Sequence, residues 1–221
     1  MNTINQTTLT FPEIRLPVRE AHRLRGYFGN LFREHSPLLH NHYADGRSMY
    51  RYPLVQYKVI GGMPVLLGLG EGAELLMRLF LDIKELKIGE QTFDLTHKQI
   101  KCRQAEVSVG QDLYEYRFET LYMALVQKNY RRYTELPQAE RPAFLNKLLC
   151  NHLLAVYKGL DSWPKERIMV KARLEERMTN FKNQRMTVFG GSFVTNALLP
   201  DLIGTGKSVS RGYGTVRRIN S

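Results

Sequence analysis

Tyr50-Arg51-Tyr52-Pro53-Leu54-Val55-Gln56-Tyr57-Lys58-Val59-Ile60-Gly61-Gly62-Met63-Pro64-Val65-Leu66-Leu67-Gly68-Leu69 is the stretch on which the fold turns. Tyr50 to Ile60 alternates like a strand, Gly61-Gly62 is a two-residue turn signal, and Pro64 to Leu69 reads as the returning strand of a β-hairpin. On its C-terminal side, Glu71 to Leu81 has helical spacing, with Leu75, Leu76, Leu79 and Phe80 on one face. On its N-terminal side, Arg19 to about Phe32 is a second helical pattern, carried by Leu24, Phe28, Leu31 and Phe32. Gly26 and Gly29 each cost that helix about 1 kcal/mol relative to Ala, a sign of close packing or of a ligand near the backbone. Residues 7–17 read as an opening strand weakened by Pro12 and Pro17. One more strand within Lys98–Val109 completes βαββαβ, the ferredoxin-like or split-βαβ order.

The second half restarts. Tyr114, Tyr116, Phe118 and Thr120 alternate on a strand face, helical patterns cover about 121–134 and 140–157, and Phe144, Leu148 and Val156 face inward on the second of these. Strand-like stretches follow near Arg167–Glu175 and Gln184–Asn196, then a glycine-punctuated tail that ends as a strand near 214–219. Two α+β units with a boundary near residue 110 are the simplest architecture.

The chain has 221 residues, 43% hydrophobic and 24% charged, which suits one large domain or two small ones with a proper core. Its apolar runs, Val65 to Leu69 among them, fall far short of the ~20 residues that span a bilayer. The start, Met1-Asn2-Thr3-Ile4-Asn5-Gln6, lacks a basic region followed by an apolar block, so no signal peptide is expected and a cytoplasmic, membrane-free protein is. Cys102 and Cys150 lack metal-ligand spacing and are expected as free buried thiols. Thirty-two Lys and Arg against 21 Asp and Glu leave a net charge of +11, which favours an anionic partner, nucleic acid first among them. Residues 165–221 concentrate that surplus, with eleven basic residues against four acidic ones.

Two phosphate motifs fail on inspection. Gly68-Leu69-Gly70-Glu71-Gly72-Ala73 imitates a dinucleotide fingerprint, but Glu71 would stand among the amides that receive the pyrophosphate, and the preceding hairpin is antiparallel. Gly206-Lys207-Ser208 imitates the end of a P-loop, but Asp201 stands where its first glycine belongs. The same tail is better read as a basic, hydroxyl-bearing loop between glycine pairs: Gly204 and Gly206 before it, Gly212 and Gly214 after it. Lys207 and Arg211 supply charge there, and Ser208 and Ser210 supply donors.

His35, His40 and His42 cluster before a tyrosine-rich strand (Tyr43, Tyr50, Tyr52, Tyr57). Imidazoles take and give protons near neutral pH, and a tyrosine hydroxyl donates to a phosphate oxygen or orients an attacking group. A zinc site at these histidines is disfavoured, because no cysteine lies nearby. His152 falls among the apolar positions of its helix, whereas His22 and His97 read as surface residues. The acids, Asp45 included, form no D-x-D or similar set that would hold Mg²⁺, so neither metal nor cofactor is expected. Metal-free cleavage of a phosphodiester suits RNA, whose own 2′-OH is the nucleophile.

Leu24-Arg25-Gly26-Tyr27-Phe28-Gly29-Asn30-Leu31-Phe32, then Leu39-His40-Asn41-His42, then Tyr50 to Lys58, resembles the CRISPR-associated repeat endoribonuclease family Cas six, its I-B-type subgroup in particular. Phe118 to Tyr130 resembles that subgroup's central segment, with Leu121-Tyr122 in place of an expected proline-tryptophan pair. The tail resembles the family's G-x-G-x₅-G-x-G loop at Gly204, Gly206, Gly212 and Gly214. The resemblance implies an α+β chain of two tandem ferredoxin-like (RRM-like) domains. Residues 1–110 would carry the His/Tyr site, and 111–221 the C-terminal glycine-rich RNA-binding loop. It implies metal-independent cleavage of CRISPR precursor RNA within repeats, leaving a 2′,3′-cyclic phosphate or 3′-phosphate and a 5′-hydroxyl. The catalytic pair it implies is His40 with Tyr50, with His42 and Tyr52 as alternates. RNA binding falls to Gly204, Gly206, Lys207, Ser208, Arg211, Gly212 and Gly214. The implied partners are CRISPR repeat RNA, other Cas effector subunits and a second copy of the chain; the rival reading is a non-catalytic repeat-binding subunit of an effector complex.

Overall fold

Proline decides where the first strand stops. In the computed structural model, which describes residues 2–32, 36–39, 51–181 and 184–219, strand β1 runs Asn2–Thr10 and ends before Pro12. A strand continued to Pro17 would need a ladder donor that proline lacks. Helix α1 (Ala21–Leu31) buries Ala21, Leu24, Phe28 and Gly29, while Leu31, expected inward, is exposed. The hairpin β2 (Val55–Ile60) and β3 (Met63–Leu69) pairs Ile60 with Met63 across Gly61-Gly62, and both glycines have positive φ. Helix α2 (Glu71–Leu79) packs Leu75, Leu76 and Leu79 inward. A small hairpin follows that the periodicity did not predict, β4 (Glu85–Ile88) and β5 (Gln91–Asp94), turning at Gly89.

Strand β6 (Gln99–Phe118) is 20 residues long and merges two strands expected separately. Thr3–Ala105 with Val209–Gly212 form one compact unit. Glu106–Ser208 with Met1–Asn2 and Tyr213–Ser221 form the other, so the two halves of β6 serve different units. The N-terminal unit orders its strands β2-β3-β1-β6 around a core that includes Leu9, Phe11, Leu24, Phe28 and Tyr57. Phe28 stacks on Phe11 and Tyr57, with centroids 6.2 and 6.0 Å away.

The C-terminal unit adds α3 (Gln127–Glu135), α4 (Arg141–Gly159), β7 (Val170–Phe181), β8 (Gln184–Leu198) and β9 (Val216–Arg218), with β6 between β9 and β8, and β7 outside β8. Helix α4 turns Leu145, Leu149, Leu153, Val156 and Tyr157 inward, leaving Phe144 and Leu148 half-buried. The pattern over 121–134 becomes helical only at Gln127. Tyr122 exchanges two backbone hydrogen bonds with Phe189, at 2.7 and 2.9 Å, and the Val126 amide donates to Asn129 Oδ1 at 2.7 Å. Cross-strand pairing overrides helical periodicity there. Each unit has ferredoxin-like order, and the chain is α+β with two such domains in tandem. In the second domain the β8-to-β9 connection is the glycine-rich loop, where a ferredoxin-like domain ordinarily has a helix.

Cys102 is exposed, contrary to the buried thiol expected, because it lies on the open part of β6; Cys150 is half-buried and donates to the Ile168 carbonyl. Gly68 and Gly72 explain the false dinucleotide motif. A Cβ on Gly68 would sit 2.3 Å from the Gly72 carbonyl oxygen, and one on Gly72 would sit 2.3 Å from that of Leu54. Both glycines are consumed by packing α2 against the hairpin. Gly72→Ala is therefore expected to lower stability by about 2 kcal/mol or more, read as a fall in the urea midpoint.

Candidate functional site

The tail loop is held by its own backbone. Gly204 pairs with Thr215 in an isolated antiparallel bridge, Thr205 N–H donates to the Gly214 carbonyl, and Gly214 N–H donates to that of Leu121, both at 2.9 Å. Lys207 N–H donates to the Met123 carbonyl at 3.0 Å. Gly206 (φ +93°) lies where a Cβ would be 2.6 Å from the Tyr122 ring. Gly214 (φ +66°) lies where one would be 1.9 Å from the Thr205 carbonyl oxygen. These glycines serve packing, and the loop's cation Lys207 is exposed on top of them.

Ser208 is half-buried with φ +56°, a left-handed conformation unusual for a serine. Arg211 closes the 3₁₀ turn Val209–Arg211, and its charge, after burial, is the next cause lowering the pKa of Arg25 on α1. Gly212 is buried against Ala21 and the Tyr57 carbonyl in the N-terminal unit. Arg25 and Arg211 therefore form a basic pair in that unit, and the Arg25 half of it was not singled out from the sequence.

His40, His42 and Tyr50 lie outside the described residues. Tyr52 is described, and it is half-buried. Its hydroxyl accepts a hydrogen bond from Gln56 Nε2 at 2.9 Å, and Gln56 Oε1 accepts one from Lys58 Nζ at 2.9 Å. Gln56 and Lys58 are both fully buried. Tyr57, between them in sequence, points the other way and donates to the Leu39 carbonyl at 2.8 Å, immediately before the His40–His42 element. Burial raises the Tyr57 pKa and lowers that of Lys58 to about 7. Sequence reasoning missed Gln56 and Lys58; the one available signal was a charged residue inside an apolar strand.

In the C-terminal unit, His152 Nδ1 lies 2.7 Å from the Tyr122 hydroxyl. Burial, and secondarily the charge of Lys207, lower its pKa to about 4, so the imidazole is neutral there while it shares a hydrogen bond with the tyrosine hydroxyl. His22 and His97 are exposed. Among the described residues, no group of three or more His, Cys, Asp or Glu converges as a metal site, and no helix is long and apolar enough to cross a membrane.

Two ferredoxin-like domains, with a glycine-rich basic loop in place of the last helix, define the class: a tandem ferredoxin-like protein. A model of the Cas6b N-terminal domain matches residues 2–106, and one of the Cas6b C-terminal domain matches residues 108–219. The chain belongs to the Cas6b family. A crystal structure of Cas6b is 32% identical with a TM-score of 0.94, covering 99% of this chain and 100% of the other. A second, of a CRISPR RNA processing endoribonuclease Cas6b, is 28% identical with a TM-score of 0.80 over the same shares. An uncharacterized protein of Methanocaldococcus jannaschii is 30% identical over 144 residues, which is 64% of this chain and 97% of that protein. The type IV crRNA endonuclease Csf5, at 12% identity and a TM-score of 0.61 over 99% of this chain and 100% of its own, shares the fold.

The state of His152 makes a prediction about pH. Its folded pKa, about 4, lies below the ordinary value of 6.5, so its contribution to stability is complete above pH 6.5 and is lost as pH falls towards 4. His152→Gln, which keeps a hydrogen-bonding group but does not titrate, is expected to flatten the fall in Tm across that window.

Proposed function

We propose that this chain matures CRISPR RNA by cutting precursor transcripts within their repeats, with the substrate's 2′-OH as nucleophile and no metal. The observation that carries the reading is membership of the Cas6b family across both domains, together with likeness over the whole chain to a CRISPR RNA processing endoribonuclease. A base takes the proton of the 2′-OH, whose oxygen forms a bond to the adjacent phosphorus. The bond from phosphorus to the 5′-oxygen breaks, and an acid protonates that oxygen. The products are a 2′,3′-cyclic phosphate and a 5′-hydroxyl, and cationic side chains stabilise the charge that builds on the phosphate. His40 with Tyr50 is the pair we assign to the acid–base work, with His42 and Tyr52 as alternates. Gly204, Gly206, Gly212 and Gly214 shape the loop, while Lys207, Ser208 and Arg211 contact phosphate.

His40→Ala is expected to slow cleavage of a labelled repeat RNA at least about 100-fold while its Kd changes no more than about threefold. Full cleavage by that variant contradicts the assignment, and tight binding without cleavage by the unaltered chain points to a non-catalytic repeat-binding subunit. Lys207→Ala is expected to weaken binding across sequences alike and to reduce the slope of log K against log salt by about 0.7.

A further inference from the structure

Helix α4 ends in a complete Schellman turn. Ser162 N–H donates to the Tyr157 carbonyl at 2.9 Å and Asp161 N–H to that of Lys158 at 3.2 Å, with Asp161 in the left-handed region at φ +52°. Ser162 is buried, and its hydroxyl accepts a hydrogen bond from Asn2 Nδ2 at 3.2 Å. The next residue, Trp163, is the chain's only tryptophan, and it is 65% exposed. Four residues further on, Asn196 holds the backbone again. Its Nδ2 donates to the Arg167 carbonyl at 3.1 Å, and its Oδ1 accepts from the Met169 amide at 2.8 Å. Trp163 thus stands on a short loop tied at both ends, within the C-terminal unit.

An exposed indole forgoes one of the largest apolar burials a side chain can make. Its N–H reaches Asp161 Oδ1 at 3.4 Å, which answers the polar edge, and Lys158 Nζ lies 5.6 Å from the ring centroid. Cations outnumber acids around it. Between residues 158 and 171 stand Lys158, Lys165, Arg167 and Lys171 against Asp161 and Glu166, all exposed. Lysines and acids are depleted from protein–protein interfaces, whereas an aromatic ring set among cations is the usual make-up of a single-stranded nucleic-acid site. Bases inside a duplex have their faces covered by their neighbours, so the ligand such a ring takes is an unpaired base.

We propose that Trp163 is a stacking platform for an unpaired nucleobase of the bound RNA, with Lys158, Lys165 and Arg167 attracting the backbone that carries it. The inference rests on RNA being the partner, as in the function proposed above, and adds a contact outside both the glycine-rich loop and the His/Tyr pair. Every base has a π-face, so the contact selects unpaired RNA as a class and not a sequence.

The single tryptophan is its own reporter. Repeat RNA carrying unpaired flanking nucleotides is expected to quench Trp163 emission on binding. Trp163→Ala is expected to weaken the Kd for that RNA about tenfold, and Trp163→Phe to keep it within about threefold. Trp163→Leu, apolar but not flat, should weaken binding as the alanine does. An abasic nucleotide walked through the unpaired positions should cost the parent about tenfold at one of them and cost Trp163→Ala nothing there, a non-additivity that a folding defect does not produce. Parent-like Kd for Trp163→Ala, or an equal further loss with every abasic RNA, overturns the proposal. So does emission that responds to another Cas effector subunit and not to bound RNA, which makes the indole a protein contact. RNA that is bound and quenches but is never cut supports the platform while overturning the cleavage reading, and absence of any RNA binding overturns both.

Discussion

At Gly214 a carbonyl stands where a side chain would begin: a Cβ there would lie 1.9 Å from the Thr205 oxygen. That approach lets the chain return from β8 to β9 without a helix. A ferredoxin-like unit ordinarily satisfies the backbone of its last crossover within a helix; here the accounting is done loop against loop. Thr205 donates to Gly214, Gly214 to Leu121, Lys207 to Met123 and Val216 to Ile203, while the Thr215 amide donates to Thr120 Oγ1. These amides are thus paired within the protein, and Lys207 stands exposed on the loop they hold. The cost is strain at Ser208, the one loop residue between Gly204 and Gly214 that takes positive φ without being glycine.

The same device recurs in the N-terminal unit, where Gly72 meets the Leu54 carbonyl and Gly212 meets that of Tyr57. Glycine patterns that look like phosphate motifs in the sequence are thus contacts of backbone on backbone. The distinction matters for function. Packed glycines mark where a side chain has no room, and the charges beside them, Lys207 and the Arg25–Arg211 pair, are the cations to test for anion binding.

The β2–β3 hairpin was legible because Gly61-Gly62 admits few alternatives, and α2 because its apolar stripe is unbroken. The start of α3 was not. Leu121 to Val126 is apolar at every position but Tyr122, and only the pairing with Phe189, far along the chain, makes it extended. The β4–β5 hairpin has four residues per strand, too few for alternation to stand out. Of the candidate site, His40, His42, Tyr50 and Tyr52 came from chemistry and family resemblance together. Gln56 and Lys58 stayed hidden, since an amide and a lysine on a strand read as solvent-facing until burial is known.

In the proposed reaction the substrate supplies its own nucleophile to a site of histidine and tyrosine. The most direct measurement is cleavage of a labelled CRISPR repeat RNA in EDTA, beside a series carrying one 2′-deoxy nucleotide at each candidate position. The account predicts that the all-RNA repeat is cut with metal chelated, and that a single deoxy substitution, immediately 5′ of the scissile phosphate, abolishes the cut. Cleavage that needs added divalent metal, or that survives every deoxy substitution, would contradict it.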